Sequence, residues 1–365
     1  LISVSTQTVL ISAVISNAEA IGSWLNGTDD SNVVSGTNLG PTYRTIAFTS
    51  WQDHLGRLEF IRPENPDQSD FFVPRVLEQV SLAKRKRERV TRFFPDKEDG
   101  KSISLYLGLK LVKNGSVAIF CGTKATAASL CSLYVEMAGR NLPFDCPASV
   151  SDSEEVKKLC FLYERNFGAE AYATKSAALG VFSHHGNTPH GVRLSVEHAM
   201  KEGLIRFVVC TSTLAQGVNL PLKYLIVTSV YQGGRPISVR DFHNLIGRAG
   251  RSGMHTEGSI IFADPEVYDG KRGSSLERWR WRQFKRLLDP SQSEPCSSTL
   301  LSVFALLSDN RTKEVSVDLS QIIEAYIDHA RDFEPVVLDL LRQFQTEGFS
   351  RQSIVNQIED KFRIF

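Results

Sequence analysis

Long apolar runs are missing from this sequence: no uninterrupted stretch approaches the roughly 20 residues that a membrane-spanning helix needs. No charged-then-apolar leader precedes a small-residue cleavage site in these residues either. Cysteines are few and scattered, at 121, 131, 146, 160, 210 and 296. They show neither zinc-site nor thioredoxin-like spacing, and mostly inside apolar runs they read as reduced, buried thiols of a cytoplasmic protein. An excess of one charge is also missing, because the net charge is only +1. Any surface for a polyanion must therefore be local.

What is present describes a globular protein: 42% of residues are hydrophobic and 23% charged, in a chain of 365 that can hold two or three domains. It opens on Leu1 and runs at once into "TVLISAVIS", which reads as the later part of a longer protein.

From about 117 to 263, short apolar runs alternate with helix-like segments. "VAIFC" (117 to 121), "LGVFS" (179 to 183), "IRFVVC" (205 to 210), "YLIVTSV" (224 to 230) and "SIIFA" (259 to 263) are expected to be strands covered on both faces. Leu130, Leu133, Tyr134 and Met137 recur at helical spacing between the first two, and Val192, Val196, Ala199 and Met200 between the next two. This alternation predicts a doubly wound α/β domain on a parallel sheet.

The stretch 141 to 178 exceeds what a connection needs, and "SDSEEVKKLCFLYERNF" predicts a helical insertion there. Residues 1 to 27 give a strand and then the helix "NAEAIGSWLNG", with Asn17 as candidate cap, and 28 to 47 a linker region rich in Gly, Ser, Thr and Asn up to residue 43. "YRTIAFTSW" and "RLEFIR" read as short strands, with a hairpin as one arrangement. The main domain is placed at 48 to 273. From 274 to 365, "SLERWRWRQFKRLLD", "STLLSVFALLS", "DLSQIIEAYIDHA" and "PVVLDLLRQFQTEG" predict a separate helical or winged-helix domain.

Ligands of an open parallel sheet gather beyond the carboxyl ends of its strands. Gly122, Thr123 and Lys124 follow the first strand, His184, His185 and Gly186 the second, and "TSTLAQGVNLP" (211 to 221) the third. Hydroxyls and amides at such places bind phosphate oxygens, which makes Thr123, Lys124, Thr211, Ser212 and Thr213 candidate nucleic-acid contacts. Helix capping explains any one of these hydroxyls equally well.

"HNLIGRAGRSGMH" (243 to 255) sets Arg248 and Arg251 three residues apart, each after a glycine, Gly247 and Gly250. On a helix that spacing puts both guanidiniums on one side, where they suit a triphosphate. A flexible Arg/Gly surface loop has the same composition.

The order of these motifs resembles the carboxyl-terminal half of a superfamily 2 helicase of the DEAD/DEAH type, nearest the Ski-like group. "NLIGRAGR" is similar to motif VI of that family, "TSTLAQGVNLP" to motif V, "VAIFCGTKATA" to motif IV, "HHG" with the helix after it to the following segment, and "SAVISNAEAIGSWL" to motif III and the last helix of the first RecA-like domain. The resemblance implies a second RecA-like lobe of the P-loop NTPase fold at 48 to 273, preceded by the end of the first. It implies Arg248 and Arg251 as arginine fingers, Gly217, Asn219 and Gly247 on the nucleotide side, Thr211 on the strand, and Ser12 and Ala13 in coupling between domains. ATP and Mg would be bound mainly by an upstream RecA-like domain, and the partner is DNA or RNA, in single-stranded form.

Motif III reads Ser-Ala-Val where Ser-Ala-Thr is commoner, and His243 and Asn244 stand near the place where motif VI often has Gln. Neither a Gly-rich phosphate loop nor a DEAD/DEAH run is present. "DGKS" (99 to 102) imitates the end of such a loop, but Pro95 replaces its first glycine, and Asp96, Glu98 and Asp99 repel phosphate. The expectation is an ATP-dependent helicase or translocase of which these residues alone are inactive. The alternative is a non-catalytic nucleic-acid-binding scaffold or split subunit in a larger complex.

Three weaker signals remain. His184, His185 and His190 lack thiolate or carboxylate companions at ligand spacing, so local hydrogen bonding is expected of them. "KRKRER" (84 to 89) is either a solvated helix face or a nucleic-acid patch. "ERWRWRQFKR" (277 to 286) either buries its aromatics in a core or stacks them on bases.

Overall fold

The computed structural model describes residues 17–26, 43–140, 142–212, 222–232, 235–250, 257–274 and 278–293. The expectations placed on Ser12, Ala13, Thr213, Gly217, Asn219, Arg251 and the helices after 293 lie outside the described residues. The chain divides into two units, 1–295 and 296–365, and every described residue belongs to the first.

In chain order the elements are α1 (Ala18–Asn26), β1 (Tyr43–Gln52), β2 (Leu55–Arg62), β3 (Asn65–Glu78), β4 (Val80–Ser81), β5 (Phe93–Phe94), α2 (Gly100–Leu111), β6 (Val117–Phe120), α3 (Lys124–Ala138), α4 (Ser153–Phe167) and α5 (Tyr172–Ala178). They continue with β7 (Phe182–His184), α6 (His190–Lys201), β8 (Phe207–Cys210), β9 (Tyr224–Val227), β10 (Tyr231–Gln232), β11 (Arg235–Pro236), α7 (Val239–Ile246), β12 (Glu257–Phe262), α8 (Pro265–Asp269) and α9 (Arg278–Leu288).

Eight strands form one sheet in the order β3-β2-β1-β12-β9-β6-β8-β7. From β7 to β1 every pairing is parallel, while β1, β2 and β3 are joined antiparallel. Neighbouring residues of a strand point to opposite faces, and the buried side chains obey that period. Ile46, Phe48, Ala118, Phe120, Val208, Cys210, Leu225, Val227, Ile260 and Phe262 enter one core, which α4, α6, α7 and α9 cover. Ala47, Val117, Ile119, Phe207, Val209, Ile226 and Ile261 enter the other, under α2 and α3. Helices on both faces of a mostly parallel sheet make this the expected RecA-like α/β lobe.

The expected linker 28 to 47 runs into the sheet. Strand β1 begins at Tyr43 and pairs with β12 from Tyr43↔Glu257 to Phe48↔Phe262. The two expected short strands do form a hairpin, but β3 adds a third strand that the sequence hid behind Pro66 and Pro74. Within the expected insertion, Asp152 caps α4 by accepting from Glu155 N at 2.8 Å, and Val156, Leu159 and Tyr163 of α4 lie in the core.

Helix α9 belongs to this lobe although 274 opened the expected accessory domain. Phe48 lies 4.7 Å from Phe284 and 5.4 Å from Trp281, while Phe262 lies 4.9 Å from Phe284. Trp281 and Phe284 are buried, and Trp279 stays exposed at the surface. Core packing is thus the fate of two of the three aromatics in "ERWRWRQFKR".

Candidate functional site

The predicted residues sort onto two opposite edges of the sheet. At the carboxyl edge, Gly122 and Thr123 lie just beyond β6. Thr123 caps α3, its hydroxyl accepting from Thr126 N at 3.0 Å and meeting Thr126 Oγ1 at 2.8 Å. The capping alternative therefore accounts for this hydroxyl. Lys124, next in sequence and exposed, donates from Nζ to Asn187 Oδ1 at 2.8 Å.

Strand β8 is followed by Thr211, which is buried and whose N–H donates to His184 O at 3.2 Å. Ser212 Oγ accepts from Gln232 Nε2 at 2.8 Å. Gln232 sits on the two-stranded β10–β11 ribbon, and the sequence reading missed it. The signal was the Gly-Gly pair at 233 and 234 between two short runs. This ribbon rests on Gly122, where a Cβ would stand 1.8 Å from Tyr231 O, so only glycine fits beneath it.

The histidines bond locally. His184 is buried with Nε2 2.6 Å from Glu197 Oε1, and His185 Nδ1 accepts from Asn187 N at 3.3 Å. Burial pushes both imidazoles below their ordinary value, outweighing the Glu197 carboxylate at His184 and reinforced by His184 and Lys124 at His185. Both rings are therefore neutral at pH 7. Among the described residues no three His, Cys, Asp or Glu side chains gather as metal ligands.

Beside this edge lies a cleft of about 410 Å³, lined by Asp99, Lys101, Thr123, Thr228, Asp264 and Arg280 among others. Its "DGKS" wall opens α2, and the Asp99 carboxylate caps that helix by accepting from Lys101 N at 3.1 Å. A carboxylate already occupies the place a phosphate would take. Arg280 pairs with Asp264 and Glu266, at 2.6 Å each. Burial raises the Asp264 carboxyl above its ordinary value, against the pull of Arg280.

The arginine segment lies at the amino edge. Ser238 caps α7 by accepting from Asp241 N at 3.1 Å, and Val239, Phe242, Leu245 and Ile246 bury one face of that helix. Gly247 ends it in right-handed conformation, φ −60°, and half-buried Arg248 follows, its N–H donating to Leu245 O at 3.1 Å. Ala249 then bridges Leu222 in parallel, and its carbonyl accepts from Arg44 Nε at 3.1 Å. Gly250 N donates to Leu222 O at 2.9 Å.

Gly250 has φ +65°, and a Cβ there would stand 2.5 Å from Gly258 N. Its missing side chain is accounted for by this conformation and by the strand behind it, not by a ligand in front. Thr211 and Leu222 thus bracket a segment that starts at the carboxyl edge and ends beside Ala249 at the amino edge. The two edges are separated by the length of the strands, roughly 15–20 Å at ~3.3 Å per residue.

Residues 148–253 match the family described as "Helicase conserved C-terminal domain", a range that holds the Thr211 and Arg248 segments but not Thr123. "Helicase POLQ-like" of Caenorhabditis elegans is 30% identical over 198 residues, 53% of this chain and 19% of that protein. "ATP-dependent DNA helicase Hel308" of Aeropyrum pernix is 40% identical over 88 residues, 23% of this chain and 12% of that protein. The chain carries a superfamily 2 helicase carboxyl-terminal region.

This helicase region is also similar to "Hachiman protein HamB" of Bacillus cereus, at 26% identity over 262 residues, 70% of this chain and 22% of that protein. It therefore spans about a fifth of the length of that relative. Among solved structures, the DUF1998 helicase MrfA bound to DNA and AMPPNP shares 18% identity at a TM-score of 0.37, covering 68% of this chain and 29% of that one. None of these matches singles out the Ski-like group.

Proposed function

We propose that the helicase region is the second RecA-like lobe of an ATP-dependent nucleic-acid helicase or translocase of the Ski-like group, acting in the cytoplasm with an upstream RecA-like domain. The observation that carries this reading is the placement of Thr211 and Leu222, the described ends of one connection. Thr211 and Ser212 stand at the carboxyl edge with Lys124, and Leu222 is hydrogen-bonded to the backbone that bears Arg248.

In this reading Thr211, Ser212 and Thr213, with Thr123 and Lys124, hold the phosphates of a single strand, which positions it without reading its bases. The strand is DNA in the printed name of the Aeropyrum pernix relative, and DNA is the substrate proposed here. Arg248 and Arg251 present guanidinium forks to a γ-phosphate across the cleft from the upstream lobe, with Gly217, Asn219 and Gly247 beside the nucleotide. Bound ATP with Mg supplies the phosphoryl group and a charge that the arginines neutralise as it develops. Half-buried Arg248, on a backbone tied to Leu222 and Arg44, fits such a fixed donor. Ser12 and Ala13 then pass the nucleotide state between the lobes.

The test is strand-stimulated ATP hydrolysis by the protein that carries this chain, wild type against Arg251→Ala, with single-stranded DNA and RNA assayed apart. Stimulation by DNA that the substitution abolishes is the expected result. Absence of hydrolysis in protein that still binds strands would replace the motor with a binding scaffold.

A further inference from the structure

The basic run 84 to 89 is not a helix face. It forms the exposed turn between β4 and β5, which pair as Val80↔Phe94 and Ser81↔Phe93. Six residues carry five cations and one acid, in a chain whose net charge is +1. That acid is turned inward: Glu88 takes buried Arg140 in a two-pronged pair, at 2.6 and 2.8 Å. Glu136, the other carboxylate near the turn, is held by Arg140 and Arg92, each at 2.9 Å. Lys86, Arg87 and Arg89 are exposed with no carboxylate partner among the described residues, Lys84 reaches only the Arg89 carbonyl, and the Phe93 ring stands half exposed beside them.

The position of this turn limits what it serves. Its anchors, Glu136 and Arg140, stand at the far end of α3 from Lys124, roughly 18 Å away at ~1.5 Å per residue. Between them α3 carries no acidic residue before Glu136. A strand leaving the carboxyl edge along α3 meets the turn within a few nucleotides.

We propose that Lys84, Lys86, Arg87 and Arg89 form a second phosphate-binding contact, which grips the nucleic acid outside the strand site at the carboxyl edge. The Arg140–Glu88–Glu136 cluster, with Arg140 buried at its centre, is the base that holds the turn outward, neutralising the two carboxylates and leaving the cations of the turn at the surface. The contact rests on the nucleic-acid reading above and adds length to it. It is indifferent to base sequence, because ammonium and guanidinium groups meet phosphates alone.

The experiment compares the protein that carries this chain with its Lys84→Gln, Lys86→Gln, Arg87→Gln, Arg89→Gln variant, in binding to labelled oligodeoxynucleotides of 6 and 20 residues across a salt series. For the 20-mer the variant should bind about 10–100-fold more weakly at low salt, with the slope of log affinity against log salt shallower by about 3, since each neutralised single-strand phosphate contributes ~0.7. The 6-mer, which can set only its last phosphates on the turn, should lose much less. Superposable thermal unfolding would confirm that the exposed substitutions leave the fold intact. A weakened 20-base-pair duplex in place of the single strand supports the same contact with a duplex as occupant. Unchanged affinity and slope for every nucleic acid overturns the proposal while leaving the strand site standing, and so does loss only of binding to phosphatidylserine vesicles. Failure of the wild type to bind any oligonucleotide overturns both.

Discussion

Gly250 and Gly258 lie back to back, so close that a Cβ on Gly250 would stand 2.5 Å from the nitrogen of Gly258, and one on Gly258 would stand 2.2 Å from the nitrogen of Gly250. The contact locks the arginine-bearing turn against the start of β12. It also distinguishes two glycines that look equivalent in "GRAGR". Gly247 has ordinary right-handed dihedrals, whereas Gly250 has φ +65°.

Gly250→Ala combines left-handed strain with a backbone collision, so a loss of about 1–3 kcal/mol is expected. Gly258→Ala should fall in the same range from the collision alone. Gly247→Ala should cost less than 1 kcal/mol, or gain from its helical conformation. Urea midpoints of the three variants check this ordering, and a Gly250→Ala protein as stable as wild type would refute the packing account.

The aromatic cluster makes a second prediction, about where the lobe ends. Phe284 is buried between Phe48 at 4.7 Å and Phe262 at 4.9 Å, strands that stand more than 200 residues apart in sequence from one another. Phe284→Ala should destabilise the lobe by about 3–5 kcal/mol, the usual range for removing a buried aromatic. Trp279→Ala, on the exposed side of the same helix, should stay within about 0.5 kcal/mol. If α9 belonged to an independent unit, Phe284→Ala would leave the main unfolding transition of the lobe in place.

These comparisons also explain what could be read in advance. Runs such as "VAIFC" and "IRFVVC" announce themselves because both faces of each strand are buried, and "YRTIAFTSW" and "RLEFIR" pair as their pattern allows. Strand β3 was hidden because it is an edge strand whose residues are mostly exposed, so Pro66, Pro74 and several polar residues are tolerated in it. The basic run misled by composition: charge alone does not distinguish a helix face from a turn, and the Arg140–Glu88 pair that fixes the turn spans 52 residues. The placement of Lys124, Thr211 and Ser212 at the carboxyl edge was legible because a parallel sheet collects its polar loops there. That Arg248 stands at the other edge depends on the path of β9 and α7, which local spacing does not encode.

Histidine burial predicts how stability depends on pH. His184, His185 and His243 all have imidazoles held below their ordinary value of 6.5, in each case chiefly by desolvation. Glu197 opposes the shift at His184, whereas Arg193 adds to it. Because the folded values lie below the unfolded one, the unfolded chain binds protons first as pH falls. Stability is therefore fully present above about pH 6.5 and is lost as pH drops through the folded values, by at most ~1.4 kcal/mol per pH unit for each ring. Urea unfolding at pH 7.5, 6.5 and 5.5 should show a falling midpoint, flattened in a His185→Gln, His243→Gln variant. A midpoint that rises on acidification would contradict the assignment.

The separation of the two edges predicts that strand binding and hydrolysis can be broken independently. Arg248 stands roughly 15–20 Å from the carboxyl edge, so Arg248→Ala should leave the affinity for single-stranded DNA within about twofold while lowering stimulated ATP hydrolysis by about 10³-fold or more. Arg248→Lys should rescue little of it, because an ammonium cannot reproduce the two-pronged fork. Lys124→Gln should do the reverse: weaker strand binding and a shallower salt dependence, with the maximal rate at saturating strand nearly unchanged. Thr211 and Leu222 place the ends of one connection at the two edges, and a substitution between them, such as Gly217→Val, should uncouple the edges, with strand and nucleotide each still bound but hydrolysis no longer stimulated. Were Arg248→Ala instead to abolish strand binding as well, the two edges would have to act as one site, and the division of labour between them would fall.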